Sequence, residues 1–378
     1  MTGSRKDAIA KRIDAAEQDL LGLSHRIHAH PELGYQETRA STWVAEALGN
    51  AGYTVTHGCY ELPTAVHATI GSGPLHVGIC AEYDALPDIG HACGHNIIAA
   101  AAVGAAIGLA EHVDALGLTV TVLGTPAEEG GGGKVWMLDR GAFDGLDAAM
   151  MVHPAATEAA AMPGMAVSQF DVTYRGRSAH AGSHPHLGIN AADAMTVAQV
   201  AIGLLRQQTA ASDRIQGIVT EAGTAANIIP DTSGGNWIVR SDSAQNLAAL
   251  KARVQRCFEA GAHATGSTLT MTPRGPDYAD LRPDLAMLES YRANAESLGR
   301  RFPAEAPAVG AATDMGNVSH RVPVIHPMLG LDCLPAVNHQ PEFTAACVTP
   351  AADRAVLDGA TAMAWTAADL AVLSGRTA

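Results

Sequence analysis

Four short apolar runs, AVHATIG, HVGICAEY, LTVTVLGTP and AAMMVHP, alternate with helix-like stretches between residues 65 and 154. The longest of those stretches, NIIAAAAVGAAIGLAEH, is apolar around its whole circumference rather than along one stripe. Strands alternating with helices of this length leave few folds open. They predict an α/β domain with a mostly parallel sheet covered by helices, whose ligand site lies where the strands end at their carboxyl edge.

Chemically loaded residues follow those strand ends. Cys93 and His95 come after HVGICAEY in HACGHN, Glu128 and Glu129 come after LTVTVLGTP in AEEGGGG, and His153 closes AAMMVHP. Taken singly, each has a plainer reading. A His after a strand is commonly a hydrogen-bonded structural residue, EEGGGG reads as a solvated turn, and HACGH reads as a helix cap or a lone redox thiol. Together they would share one sheet edge, and that convergence favours a single site. Imidazole and carboxylate donors suit zinc or manganese, and a thiolate adds affinity for zinc. An adjacent Glu pair can divide its labour, one ligating and the other moving a proton, which is the pattern of metal-assisted hydrolysis. Gly94 is expected to let the chain turn sharply between Cys93 and His95, so that both can face one site. His91 is expected to lie outside the ligand set.

From about Ser168 the texture changes. QFDVTYRGR, the helix NAADAMTVAQVAIGLLRQQ, the runs RIQGIVTEAG and TSGGNWIVRS, the helix AQNLAALKARVQRCFEAGAHA and the run TLTMTPR follow in the order of a split β-α-β unit. We therefore expect an inserted α+β domain at 168–274, within a larger domain formed by 1–167 and 275–378. The net charge of −14 disfavours nucleic acid or an anionic membrane as partner. The polar opening MTGSRKDAIAKRIDAAEQDL does not read as a signal or a span, and the 6 scattered cysteines read as reduced thiols, so a cytoplasmic protein is expected.

Several of these segments carry a family resemblance. AEYDALPDIGHACGHN, TPAEEGGGGK, MVHP, GRSAHAGSHPHLGINAADA, NIIPD, TDMGNVSH and NHQPEF resemble the aminoacylase and carboxypeptidase G-like metallopeptidases. The resemblance is greatest to the amidohydrolase branch that includes p-aminobenzoyl-glutamate hydrolase and a related dipeptidase. It implies two divalent metal ions per subunit, Zn or Mn, with Cys93 bridging and His95, Glu129, His153 and His339 completing the ligands. Glu128 is implied as general base, and Asp84 as the residue that orients the site. The inserted domain is implied to be a lid that also forms a homodimer, with His180 reaching the partner subunit's site to steady the oxyanion. Asn227 and Arg240 are implied to hold the amide and carboxylate of a small-molecule substrate. Many relatives carry a ligating His two residues before Asp84, where this chain has Glu82.

The expected activity is hydrolysis of the amide in a dipeptide or an N-acyl or N-aminobenzoyl amino acid. A zinc deaminase fits less well because PCxxC is absent. A non-catalytic metal-binding protein on the same fold is the third reading, and retention of both Glu128 and Glu129 argues against it. His184 and His186 are expected to be loop residues near the lid entrance rather than ligands, His320 and His326 are not expected to contact substrate, and Arg240 has a plainer alternative as a surface partner of Asp242.

Overall fold

The computed structural model describes residues 2–162, 164–303 and 311–373. Its contacts divide the chain into two compact units, Met1–Pro163 with Leu281–Ala378, and Gly164–Asp280. The inserted unit is therefore wider at each end than 168–274. Its first strand begins at Ala166, and the chain after Arg274 turns back to exchange main-chain hydrogen bonds between Tyr278 and Val167.

The first unit opens with α1 (Thr2–Ala15), α2 (Glu17–Ala29) and α3 (Thr38–Asn50), followed by β1 (Thr54–His57), β2 (Val66–Ile70) and β3 (Leu75–Ala81). Next come α4 (His95–Ala110), α5 (Val113–Leu116), β4 (Leu118–Gly124), α6 (Gly133–Asp139), β5 (Ala148–Met150) and β6 (His153–Ala155). The sheet runs β1-β2-β4-β3-β5 and is completed by a short strand from after the insertion, Val324–Ile325. That strand, β3, β4 and β5 are mutually parallel, whereas β1 and β2 are antiparallel additions at one side. The sequence does not mark β1, a short and mostly exposed edge strand with no apolar alternation.

One expectation needs correction. AAMMVHP is not a single strand, because β5 stops at Met150 and His153 starts β6, which pairs in a separate two-stranded sheet with Met328–Gly330. The break at Met151 and Val152 moves His153 out of the central sheet.

Helix α4 is buried along nearly all of its length, as a helix that is apolar all round must be. Small residues let its neighbours approach closely: a Cβ on Gly104 would lie 2.8 Å from the Ala360 Cβ. Ala360 belongs to the carboxyl-terminal helix Pro350–Leu373, which is long and apolar enough to span a membrane but buries Val356, Met363 and Ala367 completely in this core.

The inserted unit has β7 (Ala166–Arg175), α7 (Ala191–Leu205), β8 (Arg214–Glu221), β9 (Thr232–Ser241), α8 (Ala244–Thr265) and β10 (Thr268–Pro273). Its antiparallel sheet runs β10-β7-β9-β8. Phe170, Trp237 and Phe258 meet edge to face in its core, with Val254 and Ile202. The remaining helices of the first unit are α9 (Leu285–Ser297), α10 (Met315–Ser319), α11 (Pro341–Ala346) and α12 (Pro350–Leu373), with β11 (Val324–Ile325) and β12 (Met328–Gly330) between α10 and α11.

Candidate metal centre

The carboxyl ends of β4, β3, β5 and β11 lie side by side, and the candidate donors rise from the loops beyond them. Gly94, at φ +78°, turns the chain into α4, and a Cβ there would lie 2.4 Å from Pro154 Cγ. Cys93 and His95 are thus set on either side of a position that only glycine fills without strain. Loop 126–132 after β4 is braced from below by Glu37, which accepts Ala127 N–H at 2.8 Å and the Thr64 hydroxyl at 2.9 Å. His339 arrives from a distant loop at φ +69°, held by its main-chain N–H on Ala92 O at 2.8 Å.

Three pairs of donor atoms face each other at nearly equal spacing. Cys93 Sγ lies 3.4 Å from His153 Nε2, His339 Nε2 lies 3.3 Å from Glu129 Oε1, and His95 Nε2 lies 3.5 Å from Glu82 Oε2. Donors bonded to one tetrahedral zinc at 2.0–2.3 Å stand roughly 3.3–3.6 Å apart, so each pair has the span of one edge of a coordination shell. Cys93, His95 and His153 can offer one ligand atom each within 4.8 Å of one another, as can Cys93, Glu129 and His339, and also His95, Glu128 and Glu129. Cys93, His95 and Glu129 each belong to two of these groups, so the groups overlap in one centre.

The ring nitrogens are already sorted. His95 Nδ1–H donates to Asp84 Oδ1 at 3.0 Å, and His153 Nδ1–H donates to Pro154 O at 2.8 Å. Both rings therefore turn Nε2 toward the centre. Asp84 also accepts Glu129 N–H at 2.9 Å, so one buried carboxylate orients two donor-bearing segments.

Buried His95 Nε2, Glu82 Oε2 and Glu129 Oε1 have no hydrogen-bond partner among the described residues. Such atoms are costly in a protein interior unless a cation or water completes them. Burial, and then the Glu129 charge, push the Cys93 thiol well above its usual range, so a thiolate there needs a cation beside it. Burial, opposed mainly by Glu82, lowers His153 to about 4 and leaves it a neutral donor at pH 7. Burial and the charges of Glu82 and Glu129 raise Glu128 well above the usual carboxylate range. The donor set fits divalent metal.

The structure thus brings Asp84, Cys93, His95, Glu128, Glu129, His153 and His339 together. His180, Asn227 and Arg240 belong to the inserted unit. Ala181 N–H bonds Asn227 O and Ile229 N–H bonds Ala179 O, which aligns the exposed His180 and Asn227 segments side by side. His180 Nδ1 accepts from Gly182 and Ser183 N–H at 3.2 and 3.1 Å, leaving its proton on Nε2. Half-buried Arg240 makes no ion pair with Asp242 among the described residues; the Asp242 carboxylate instead takes Ser212, Ser243 and Asn246.

Sequence reasoning missed several residues at the centre. Lys134, wholly buried, bonds Glu82 and reaches Asp314 at 2.7 Å. Asn338 donates to Pro154 O at 3.0 Å beside Cys93. His326, 2 % exposed, directly follows β11, and its ring centroid is 5.3 Å from that of His153. The strand-end rule that located Cys93 and Glu128 would have located His326 too, had the two-residue β11 been legible.

Known proteins share this geometry's sequence and fold. The sequence profile of Peptidase family M20/M25/M40 matches residues 78–356, which contain every donor of the centre. The Xaa-Arg dipeptidase of Mus musculus is 38% identical over 384 residues, covering 97% of this chain and 88% of that protein. A component of the p-aminobenzoyl-glutamate hydrolase of Escherichia coli is 30% identical over 283 residues, covering 68% of this chain and 58% of that one. Among solved structures, the Bacillus subtilis YXEP protein, a dinuclear metal binding peptidase from the M20 family, superposes with TM-score 0.72 at 21% identity, covering 94% of this chain and 99% of that one. By sequence profile and by relatives, the chain belongs to peptidase family M20/M25/M40.

Proposed function

We propose that the chain is a metal-dependent amidohydrolase that cleaves the amide of a small substrate with a free carboxylate, a dipeptide or an N-acyl or N-aminobenzoyl amino acid. The observation that carries this reading is the set of facing donor pairs at 3.3–3.5 Å with Glu128 buried beside them. The names of the relatives, a dipeptidase and an aminobenzoyl-glutamate hydrolase, support the substrate class.

Cys93, His95, Glu129, His153 and His339 would hold two divalent ions, zinc or manganese. When bound, such ions polarise the scissile carbonyl and make a water acidic enough to be deprotonated near neutral pH. Glu128 takes the water proton and delivers it to the leaving nitrogen, a transfer suited to a carboxylate of raised proton affinity. Asp84 keeps His95 in the tautomer that presents Nε2. His180, with its proton on Nε2, is a ready donor to an oxyanion, while Asn227 and Arg240 grip the substrate's amide and carboxylate.

The protein is further proposed to be a cytoplasmic homodimer through its inserted unit, with His180 serving the partner subunit's site. Two features support the dimer. β8 is an edge strand with Ile218 62% and Val219 38% exposed, and the neighbouring helix α7 leaves Val200 59% and Leu204 71% exposed. An uncovered apolar edge of this kind is a pairing surface. The free state of all the cysteines is consistent with a reducing compartment. The deciding experiment is a panel of dipeptides and N-acyl amino acids, assayed for released amine with chelated and with Zn²⁺- or Mn²⁺-loaded protein. Absence of metal-dependent release across the panel would overturn the reading.

A further inference from the structure

Beside the proposed metal ligands lies a second cluster of charge. Glu82, Glu128 and Asp314 each turn a carboxylate oxygen to within 4.8 Å of the others, and all three are buried. Three convergent oxygen donors are the material of a hard-cation site, suited to manganese, magnesium or calcium. Three ionised carboxylates share a dry pocket only with a cation among them.

Here the chain supplies the cation. The wholly buried Lys134 ammonium bonds Glu82 Oε1 and lies 2.7 Å from Asp314 Oδ1, while Lys134 main-chain N–H donates to Asp314 Oδ2 at 2.9 Å. Asp314 thus grips both the backbone and the side chain of one residue. Gly133 makes the placement possible, since a Cβ there would lie 1.8 Å from Pro126 O. The second oxygen of Glu82 is left facing His95 Nε2 at 3.5 Å, and neither atom has a hydrogen-bond partner among the described residues.

We propose that Lys134 is a positioning residue acting as a built-in cation. It stands where a third divalent ion would otherwise bind, limits the centre to its two metals, and fixes Glu82 with one oxygen turned toward His95. A covalently supplied ammonium differs from a metal in one respect that matters: its occupancy does not vary with free metal concentration. The carboxylate wall beside Glu128 then keeps one geometry whatever the metal supply.

The proposal rests on the two-metal reading, and its test separates the two. Wild-type protein, Lys134→Met and Lys134→Arg are loaded with Mn²⁺, freed of excess by gel filtration and analysed for metal per subunit, and their melting temperatures are followed against added Mn²⁺. Lys134→Met should carry one more ion per subunit than wild type, and its melting temperature should climb with Mn²⁺ over a range where wild type is flat. Lys134→Arg should match wild type, and adding Glu82→Gln to Lys134→Met should remove the extra ion. A Lys134→Met protein with the wild-type metal count and no Mn²⁺-dependent stabilisation overturns the proposal, as does one that stays unfolded in millimolar Mn²⁺. A wild-type count other than two refutes the two-metal reading, while the difference between variant and wild type still decides the role of Lys134.

Discussion

Asp84→Asn is the change that most directly tests how the centre is oriented. Asp84 uses both oxygens as acceptors, one for His95 Nδ1–H at 3.0 Å and one for Glu129 N–H at 2.9 Å, and it is 1% exposed. Asparagine keeps the shape but turns one acceptor into a donor. If its oxygen stays on Glu129, the amide NH₂ faces His95 Nδ1, and the ring must move its proton to Nε2, the atom required as a metal ligand. If the amide is reversed, two donors meet at Glu129 N–H. The first arrangement forfeits a charge-assisted hydrogen bond worth roughly 1.5–3 kcal/mol, and the second strands a buried donor at about 1–3 kcal/mol. Losing the partner of a ligating His typically weakens metal binding by about 10–100-fold, or roughly 1.4–2.8 kcal/mol. The two routes give the same size of effect. Because Asp84 orients two donor segments, we expect the upper half of that range. Competition of the apoprotein against a chromophoric chelator measures the affinity, and the ¹⁵N shifts of His95 report its tautomer. Affinity within about threefold of wild type, with Nδ1 still protonated, would refute the reasoning.

Other consequences follow from the same geometry. Glu128→Gln should retain its metal but lose most of its turnover, whereas Glu129→Gln should lose metal; equal metal loss in both would undo the division of roles. Glu37 is wholly buried and raised to about 7, chiefly by burial and then by the charge of Asp84. Since its folded pKa lies above its unfolded one, its contribution to stability is complete below the ordinary carboxylate value and is lost as pH rises through 7. The loss is about 3 kcal/mol, and Glu37→Gln, whose amide can serve Ala127 N–H and the Thr64 hydroxyl, should flatten unfolding curves measured between pH 5 and 8. An unchanged slope would count against it. His180→Ala should lose about 10²-fold or more in rate, and mixing it with Glu128→Gln subunits should restore part of the activity; mixtures that stay inactive after proven subunit exchange would exclude action across subunits. Arg240→Lys should lower kcat/KM for carboxylate substrates and spare amide-capped ones, and equal losses on both would exclude carboxylate recognition.

Much of the fold is legible in the sequence because its signals are local. Strand–helix alternation and the β-α-β-β-α-β order of the insertion each rest on periodicity within one segment, and both appear in the structure. So does the glycine turn at Gly94, whose left-handed conformation follows from its place between a strand loop and an apolar helix. What is illegible depends on long-range partners. Nothing near Lys134 announces that a lysine at the start of GGKVWML is fully buried, because its partners Glu82 and Asp314 lie 52 and 180 residues away in the chain. His326 is named in the sequence but set aside, because β11 has two residues and no pattern to mark its end. In the sequence Glu82 registers only as the absence of a ligating histidine. In the structure it is a carboxylate held by Lys134 and turned toward His95.

Each facing donor pair joins separate parts of the chain: the α4 turn with the start of β6, the loop of His339 with the loop after β4, and α4 with the end of β3. Metal binding therefore crosslinks the loops above the sheet edge, while the main core, built on Ile79, Val103, Val120 and Ala360, contains none of the proposed ligands. A ligand that binds only the folded state adds stability by mass action, about 2.7 kcal/mol at a hundredfold excess over Kd. That gain counts against every opening that breaks the site, global unfolding of the core included. The donors meet because parallel β4, β3, β5 and β11 bring their carboxyl ends to one edge of the sheet. The same edge gathers buried carboxylates as well, and there Lys134 is the counter-charge, an ammonium paired with both Glu82 and Asp314.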